Sequence, residues 1–251
     1  MADTEQDPAA AAMAAPEART ESEVVHAVGV GPGNPAFLTG RAADRLAAAD
    51  VVVGFETVVD VVRDATDATL LTCGYEDEAA TLSAFGDRVA DGDAGVAVLM
   101  GDPNVSGYQF LGRVEAALDR PVRVIPGISS VQVAASRART PIERSTVVSL
   151  HRRGAIDYAL DRLVDAAGKR HLIAIPRPFD WMPADVAAHL VDRGADRDLA
   201  ALVLERLTHD DESVTETTLG ALAADAGGDG PEDTDFSDLS ILVVRAAEGQ
   251  L

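Results

Sequence analysis

Three short stretches of this chain carry residue types suited to holding a small molecule by its edges. They are Gly29-Val30-Gly31-Pro32-Gly33-Asn34-Pro35, Gly101-Asp102-Pro103-Asn104-Val105-Ser106-Gly107 and Pro126-Gly127-Ile128-Ser129-Ser130. Each follows a run rich in Val, Ile and Leu. Glycine removes the Cβ that keeps a ligand off the backbone, and Pro32 fixes one φ angle, so the first loop reads as a rigid turn made for close approach. A dinucleotide fingerprint is excluded by spacing. That motif needs G-x-G-x-x-G running straight into a helix and an acidic residue at the end of the second strand. Here G-x-G-x-G meets Asn34-Pro35, the helix start lies later at Thr39, and Asp50 precedes the second strand.

The elements that must position these loops alternate along the chain. Short β-branched runs at 24–30, 51–53, 96–100, 122–125, 146–150, 172–175, 200–204, 213–218 and 240–244 predict strands. Apolar periodicity at 39–48, 56–64, 77–91, 107–118, 129–138, 155–167 and 183–192 predicts helices. The class is α/β. Open sheets of this kind take ligands beyond the carboxyl ends of their strands, so three such loops are expected to converge on one site.

Arg139-Thr140-Pro141-Ile142-Glu143 interrupts the pattern. Beyond it, Glu212–Thr218 alternates polar and β-branched residues as an antiparallel strand does. The expected organisation is a charged, disordered tail at 1–22, an N-terminal domain at 23–139 with a mostly parallel sheet, and a C-terminal domain at 140–251 with a mixed sheet. The acidic stretch 225–235 reads as a solvated loop.

Composition narrows the function classes. The net charge is −21, and Lys169 is the one lysine among 21 basic residues, so nucleic acid is excluded as a partner. Such self-repulsion is tolerable where concentrated salt screens it, which points to a halophilic source. No apolar run spans a bilayer and the first residues lack an export signal, so the expected location is the cytoplasm. The single cysteine, Cys73, excludes an intrachain disulfide and a cysteine-based zinc cluster, and reads as buried filler. His26, His171, His189 and His209 have no second ligand at helical spacing, so no protein-bound metal is expected.

Taken in order, the three loops resemble those of the tetrapyrrole methylases, which move methyl groups from S-adenosylmethionine to macrocycles on the cobalamin and sirohaem routes. Gly29 to Thr39 matches the family's G-x-G-P-G-[DN]-P…L-T loop, Gly101 to Gly107 its G-D-P…G loop, and Pro126 to Ser130 its P-G-[IV]-[ST]-[SA] loop. The resemblance runs from Val24 to Arg245. It implies two α/β domains with the cofactor in the cleft between them, and a homodimer. It further implies cofactor contacts at Pro32, Met100, Gly101, Asp102, Val105, Ser129, Ser130, Ile175 and Leu207. The segments Ser149–Gly154 and Leu204–Glu212 look most like the branch that methylates carbon 5 of cobalt-precorrin-7. That branch often carries a fused enzyme that methylates carbon 15 and decarboxylates, which must here be a separate protein. Asn104-Val105-Ser106 departs from the bulky apolar residues usual at that place.

Transfer from a sulfonium to an enamine-like carbon disperses charge, so alignment in a site of low polarity supplies most of the rate. The absence of a catalytic triad or paired carboxylates is therefore compatible with an enzyme. A proton must still leave the macrocycle, and Tyr108, His151 and Glu205 are the candidates by proximity to the motifs. Asp102 is suited either to accept from the cofactor ammonium or to cap the turn that Pro103 enters. The corrin substrate carries many carboxylates. Arg152 and Arg153 are the best pair to meet them, with Arg137, Arg139 and Arg177 as further candidates. Any cobalt arrives inside the substrate. Two competitors remain: the same fold acting on another tetrapyrrole position or substrate, and a non-catalytic small-molecule-binding α/β protein.

Overall fold

A computed structural model describes residues 24–105, 107–152, 154–178, 180–227, 230 and 233–247. The N-terminal tail, Arg153 and part of the acidic stretch 225–235 lie outside the described residues. The chain divides into two compact units, one up to Ser129 and one from Ser130 onward.

In the first unit β1 (Val25–Gly29), β2 (Val51–Phe55), β3 (Thr69–Cys73), β4 (Gly95–Leu99) and β5 (Val122–Ile125) form one sheet in the order β3-β2-β4-β1-β5. Every pairing is parallel. The helices are α1 (Gly40–Ala47), α2 (Glu56–Val62), α3 (Glu78–Ala90) and α4 (Tyr108–Ala116). Because strand side chains alternate between faces, the consecutive residues Ala27 and Val28 enter different cores. Ala27 packs with Phe85 and Leu111, and Val28 with Leu46 and Val59. Covering both faces explains why these strands read as continuous apolar runs. Thr39 caps α1 as its type predicts, its hydroxyl accepting from Ala42 N–H at 3.3 Å. Strand β3 is not signalled by the sequence: Thr-Leu-Leu-Thr-Cys has no β-branched run and is half exposed, and it becomes a strand through register with β2, from Val51 opposite Thr69 to Phe55 opposite Cys73.

The second sheet has the order β6-β7-β10-β8-β9, built from β6 (Ser145–Ser149), β7 (His171–Ile175), β8 (Ala200–Glu205), β9 (Ser213–Thr218) and β10 (Ser240–Val244). It is mixed, as expected: β6 and β7 are parallel, while β10 runs antiparallel to β7 and β8, and β9 antiparallel to β8. Its helices are α5 (Ser130–Ala138), α6 (Asp157–Ala166), α7 (Pro183–Asp192) and the short α8 (Leu219–Leu222). The last is absent from the sequence expectation and is started by the Thr218 hydroxyl accepting from Ala221 N–H at 3.2 Å. Helix α5 packs on β7 and β10, which is why the compact units divide at Ser129 while the Pro-marked break lies near residue 140. On another face Leu163, Leu172, Leu190, Val203 and Leu242 close a core. Among the described residues no helix is long and apolar enough to cross a membrane.

Candidate functional site

Strand β1 lies between β4 and β5, with Gly29 level with Leu99 and Val28 with Ile125. The loops leaving these three carboxyl ends therefore start side by side, at the place where the strand order reverses direction. Their backbones interlock. Gly31 N–H donates to Gly101 O at 3.3 Å, Gly101 N–H returns to Gly31 O at 2.8 Å, and Val30 N–H donates to Leu99 O at 2.9 Å. The Asp102 carboxylate joins the second loop to the third, accepting from Gly127 N–H at 3.2 Å, and holds its own turn through Asn104 N–H at 2.7 Å and Asn104 Nδ2 at 2.8 Å.

This packing corrects the reason for two of the glycines. A Cβ on Gly29 would lie 2.6 Å from both Gly101 O and Gly127 N, and one on Gly127 would lie 2.1 Å from Gly101 O. Glycine is required there because loop backbones touch one another, not because a ligand touches them. Gly101 is the contrasting case. Its φ of +64° favours glycine, and a Cβ there would meet nothing nearer than Ser129 Cα at 3.8 Å. The open space of the cradle lies at Gly101.

The structure thus brings together Pro32, Met100, Gly101, Asp102 and the loop that ends in Ser129. Pro32, Met100 and Asp102 are half-buried, and Gly101 and Ser129 are buried. Val105 sits at the exposed tip of the second loop, with its N–H on Asp102 O at 3.0 Å. Asp102 caps its turn, as one of the two roles open to it requires; with about four lone-pair sites against three donors it retains acceptor capacity for a cation. Tyr108 opens α4 and donates its hydroxyl to Asn104 Oδ1 at 3.3 Å.

In the second unit β6, β7 and β8 point the same way, so their carboxyl ends share one edge. From that edge come His151 and Arg152 after β6, Ile175 at the end of β7, and Glu205 with Leu207 at the end of β8. Leu150 N–H donates to Ile175 O at 2.8 Å and ties the first two together. Ser130 begins α5. The His151 side chain is exposed, yet the protein around it removes enough water to hold its imidazole below the ordinary histidine value, against the opposing field of Asp238. Glu205 is engaged: it accepts from Ser237 N–H at 2.8 Å and from the Ser213 hydroxyl at 3.3 Å. Of the arginines expected to meet substrate carboxylates, Arg137 is bound to Glu212 at 2.6 Å and Arg177 pairs with Asp180. Arg139 and Arg152 form no ion pair among the described residues, and Arg153 lies outside them.

One feature of this edge has no sequence signal. Arg206 and Thr208 have φ of +48° and +74°, the left-handed region, and neither is glycine. Leu207 between them is 5% exposed. Nothing in Glu205-Arg206-Leu207-Thr208 resembles a turn motif, and an Asn or Gly there would have been the signal. Among the described residues no cluster of three His, Cys, Asp or Glu is placed to hold a metal ion.

The model of one family, the Tetrapyrrole (Corrin/Porphyrin) Methylases, matches residues 24–223. A probable cobalt-precorrin-7 C(5)-methyltransferase of Methanocaldococcus jannaschii is 27% identical over 227 residues, covering 90% of this chain and 99% of that protein. Among solved structures, the methyltransferase CobJ covers 90% of this chain and 95% of its own at a TM-score of 0.70 and 22% identity. A uroporphyrin-III C-methyltransferase from Thermus thermophilus, complexed with S-adenosyl homocysteine, covers 88% and 91% at a TM-score of 0.64 and 22% identity. The likeness to these two structures is one of fold.

Proposed function

Since the chain belongs to the tetrapyrrole methylases and is an S-adenosylmethionine-dependent methyltransferase of that family, we propose that it methylates carbon 5 of cobalt-precorrin-7 in cobalamin biosynthesis. The observation that carries the position of methylation is the nearly end-to-end match with the Methanocaldococcus protein, supported by the Ser149–Gly154 and Leu204–Glu212 segments.

The residues present fit the methyl donor. The cradle at Gly101 is open where a Cβ would stand, and Asp102 beside it, with Oδ2 accepting one bond from Gly127 N–H, retains a lone pair for an ammonium. When bound, S-adenosylmethionine supplies an electrophilic methyl group on a sulfonium. We assign its contacts to Pro32, Met100, Gly101, Asp102, Val105, Ser129, Ser130, Ile175 and Leu207. The protein's part is positioning: the first two loops are locked by backbone hydrogen bonds and the third is tied to them through the Asp102 carboxylate, so the donor is held by groups already fixed in place. Of the three proton acceptors, Tyr108 spends its hydroxyl proton on Asn104 and Glu205 accepts from two serines, which fixes its orientation; His151, whose imidazole desolvation holds below its ordinary value, is the one we assign as base. Arg152 is the cation we assign to a substrate carboxylate, with Arg153 as its neighbour in sequence. The proposal extends to a homodimer and to a salt-rich cytoplasm as the setting for a chain of net charge −21.

The test incubates the protein with radiolabelled methyl donor and a panel of precorrins, and locates the label by NMR. Label at carbon 5 of cobalt-precorrin-7 supports the reading. Label elsewhere favours another position on the same fold, and donor binding without transfer to any macrocycle favours a non-catalytic binding protein.

A further inference from the structure

The Glu212 side chain clamps the Thr208 end of the strained segment after β8. Glu212 receives three hydrogen bonds: Thr208 N–H reaches Oε2 at 2.7 Å, Arg137 Nε reaches Oε1 at 2.6 Å and Arg137 Nη2 reaches Oε2 at 3.3 Å. Arg137 stands in the last turn of α5, so the carboxylate links the turn to a packed helix. Arg206 is tied separately, its N–H to Leu239 O at 2.9 Å, its C=O to His209 N–H at 2.9 Å, and its guanidinium to Asp211 at 2.5 Å. These described hydrogen bonds use the residues on either side of Leu207 and none engages Leu207 itself.

A β-branched residue in the left-handed region is disfavoured, and two non-glycine residues of this kind flanking one position persist only where neighbours over-determine them. Nothing in the sheet requires the arrangement, since β8 and β10 are fully paired up to Glu205 opposite Ser240. Its effect is to set the backbone of the buried Leu207 beyond the end of the ladder, at the edge to which the donor contacts are assigned.

We infer that Glu212 is a positioning residue for the methyl donor: by clamping Thr208 N–H to Arg137 it holds the left-handed turn that presents the Leu207 backbone to the bound cofactor. The inference rests on the donor contact assigned to Leu207 above. No chemistry is asked of Glu212, and its loss therefore weakens donor binding rather than slowing transfer from the filled site.

Dissociation constants for S-adenosylhomocysteine are measured by calorimetry, with KM for the donor and kcat, on wild type, Glu212→Ala, Glu212→Gln and Glu212→Ala combined with Thr208→Gly. Each is studied well below its own melting temperature. Releasing a left-handed turn corresponds to a loss of about tenfold in affinity for Glu212→Ala, read in KM rather than kcat. The Gln variant keeps one acceptor and falls between. Thr208→Gly restores most of the affinity, because glycine adopts φ of +74° without penalty. A rescue of this kind separates positioning from a general loss of stability. If Glu212→Ala fails to fold, Arg137→Gln, which leaves the Thr208 bond in place, carries the test with a smaller loss. Folded variants that bind within twofold of wild type overturn the inference, and so does the absence of rescue by Thr208→Gly. A wild-type protein that binds no S-adenosylhomocysteine overturns the donor site itself and the inference with it, an outcome distinct from tight wild-type binding unaffected by Glu212.

Discussion

Replacing Gly127 by alanine puts one methyl group into a gap that does not exist. The new Cβ would stand 2.1 Å from Gly101 O and 2.7 Å from Gly29 C and O, where real Cβ contacts stay beyond 3.0 Å. The third loop must therefore retreat by about 1 Å from the other two, and every atom in the way is backbone, with no flexible side chain to give. Overpacking of this kind costs about 1–3 kcal/mol, and rigid neighbours on both sides place it at the upper end. Retreat also stretches the bond from Gly127 N–H to Asp102, already 3.2 Å, which adds to the loss. A destabilisation of about 3 kcal/mol corresponds to a fall in melting temperature of about 6–12 °C for a chain of this size. The control is Gly101→Ala. Its Cβ has 3.8 Å of clearance, so only the left-handed φ of +64° counts against it, about 1 kcal/mol. Differential scanning calorimetry should rank Gly127→Ala well below Gly101→Ala, and titration with S-adenosylhomocysteine should show at least a tenfold loss for Gly127→Ala. A Gly127→Ala protein melting within 2 °C of wild type, or a reversed ranking, would refute the interlocked-loop account.

Gly101→Leu should fold, because its side chain enters open space, and should abolish donor binding because it fills the cradle; unchanged affinity by calorimetry would place the site elsewhere. Burial and the nearby Arg245, Arg144 and Arg170 hold the His171 imidazole below its ordinary value, and its Nδ1 accepts from Ala246 N–H at 3.1 Å, which requires the neutral ring. A histidine depressed in the folded state stabilises fully above the unfolded value near 6.5 and loses that contribution as pH falls through it, so melting temperature should drop between pH 7.5 and 5.5, less steeply in His171→Asn. Burial, with Glu78 and Asp77 nearby, pushes the Cys73 thiol up to about 11, so a disulfide reagent at pH 8 should label it only on unfolding. With net charge −21, melting temperature should rise from 0.1 to 2 M KCl, and equal stability in both would count against salt adaptation.

Much of the scaffold was legible because it rests on local chemistry. Buried parallel strands read as β-branched runs, Thr39 announced its helix, and the alternation of Ser213–Thr218 announced an antiparallel strand. Strand β3 was not legible, since Thr69–Cys73 owes its conformation to pairing with β2 rather than to its own residues. Nor was the pairing of Arg137 with Glu212, 75 residues apart in sequence.

The sequence by itself determined the α/β class, the three glycine and proline loops and the family to which they belong, because turns and strand patterns are written in neighbouring residues. Only the tertiary structure decided what those glycines are for. Gly29 and Gly127 are glycine because strands distant in sequence bring loop backbones into contact, and Gly101 alone among the three leaves room for a ligand. The same holds for the turn at Leu207: its left-handed neighbours carry no turn residue, and the conformation exists because a carboxylate four residues beyond Thr208 and an arginine on a separate helix close on it together.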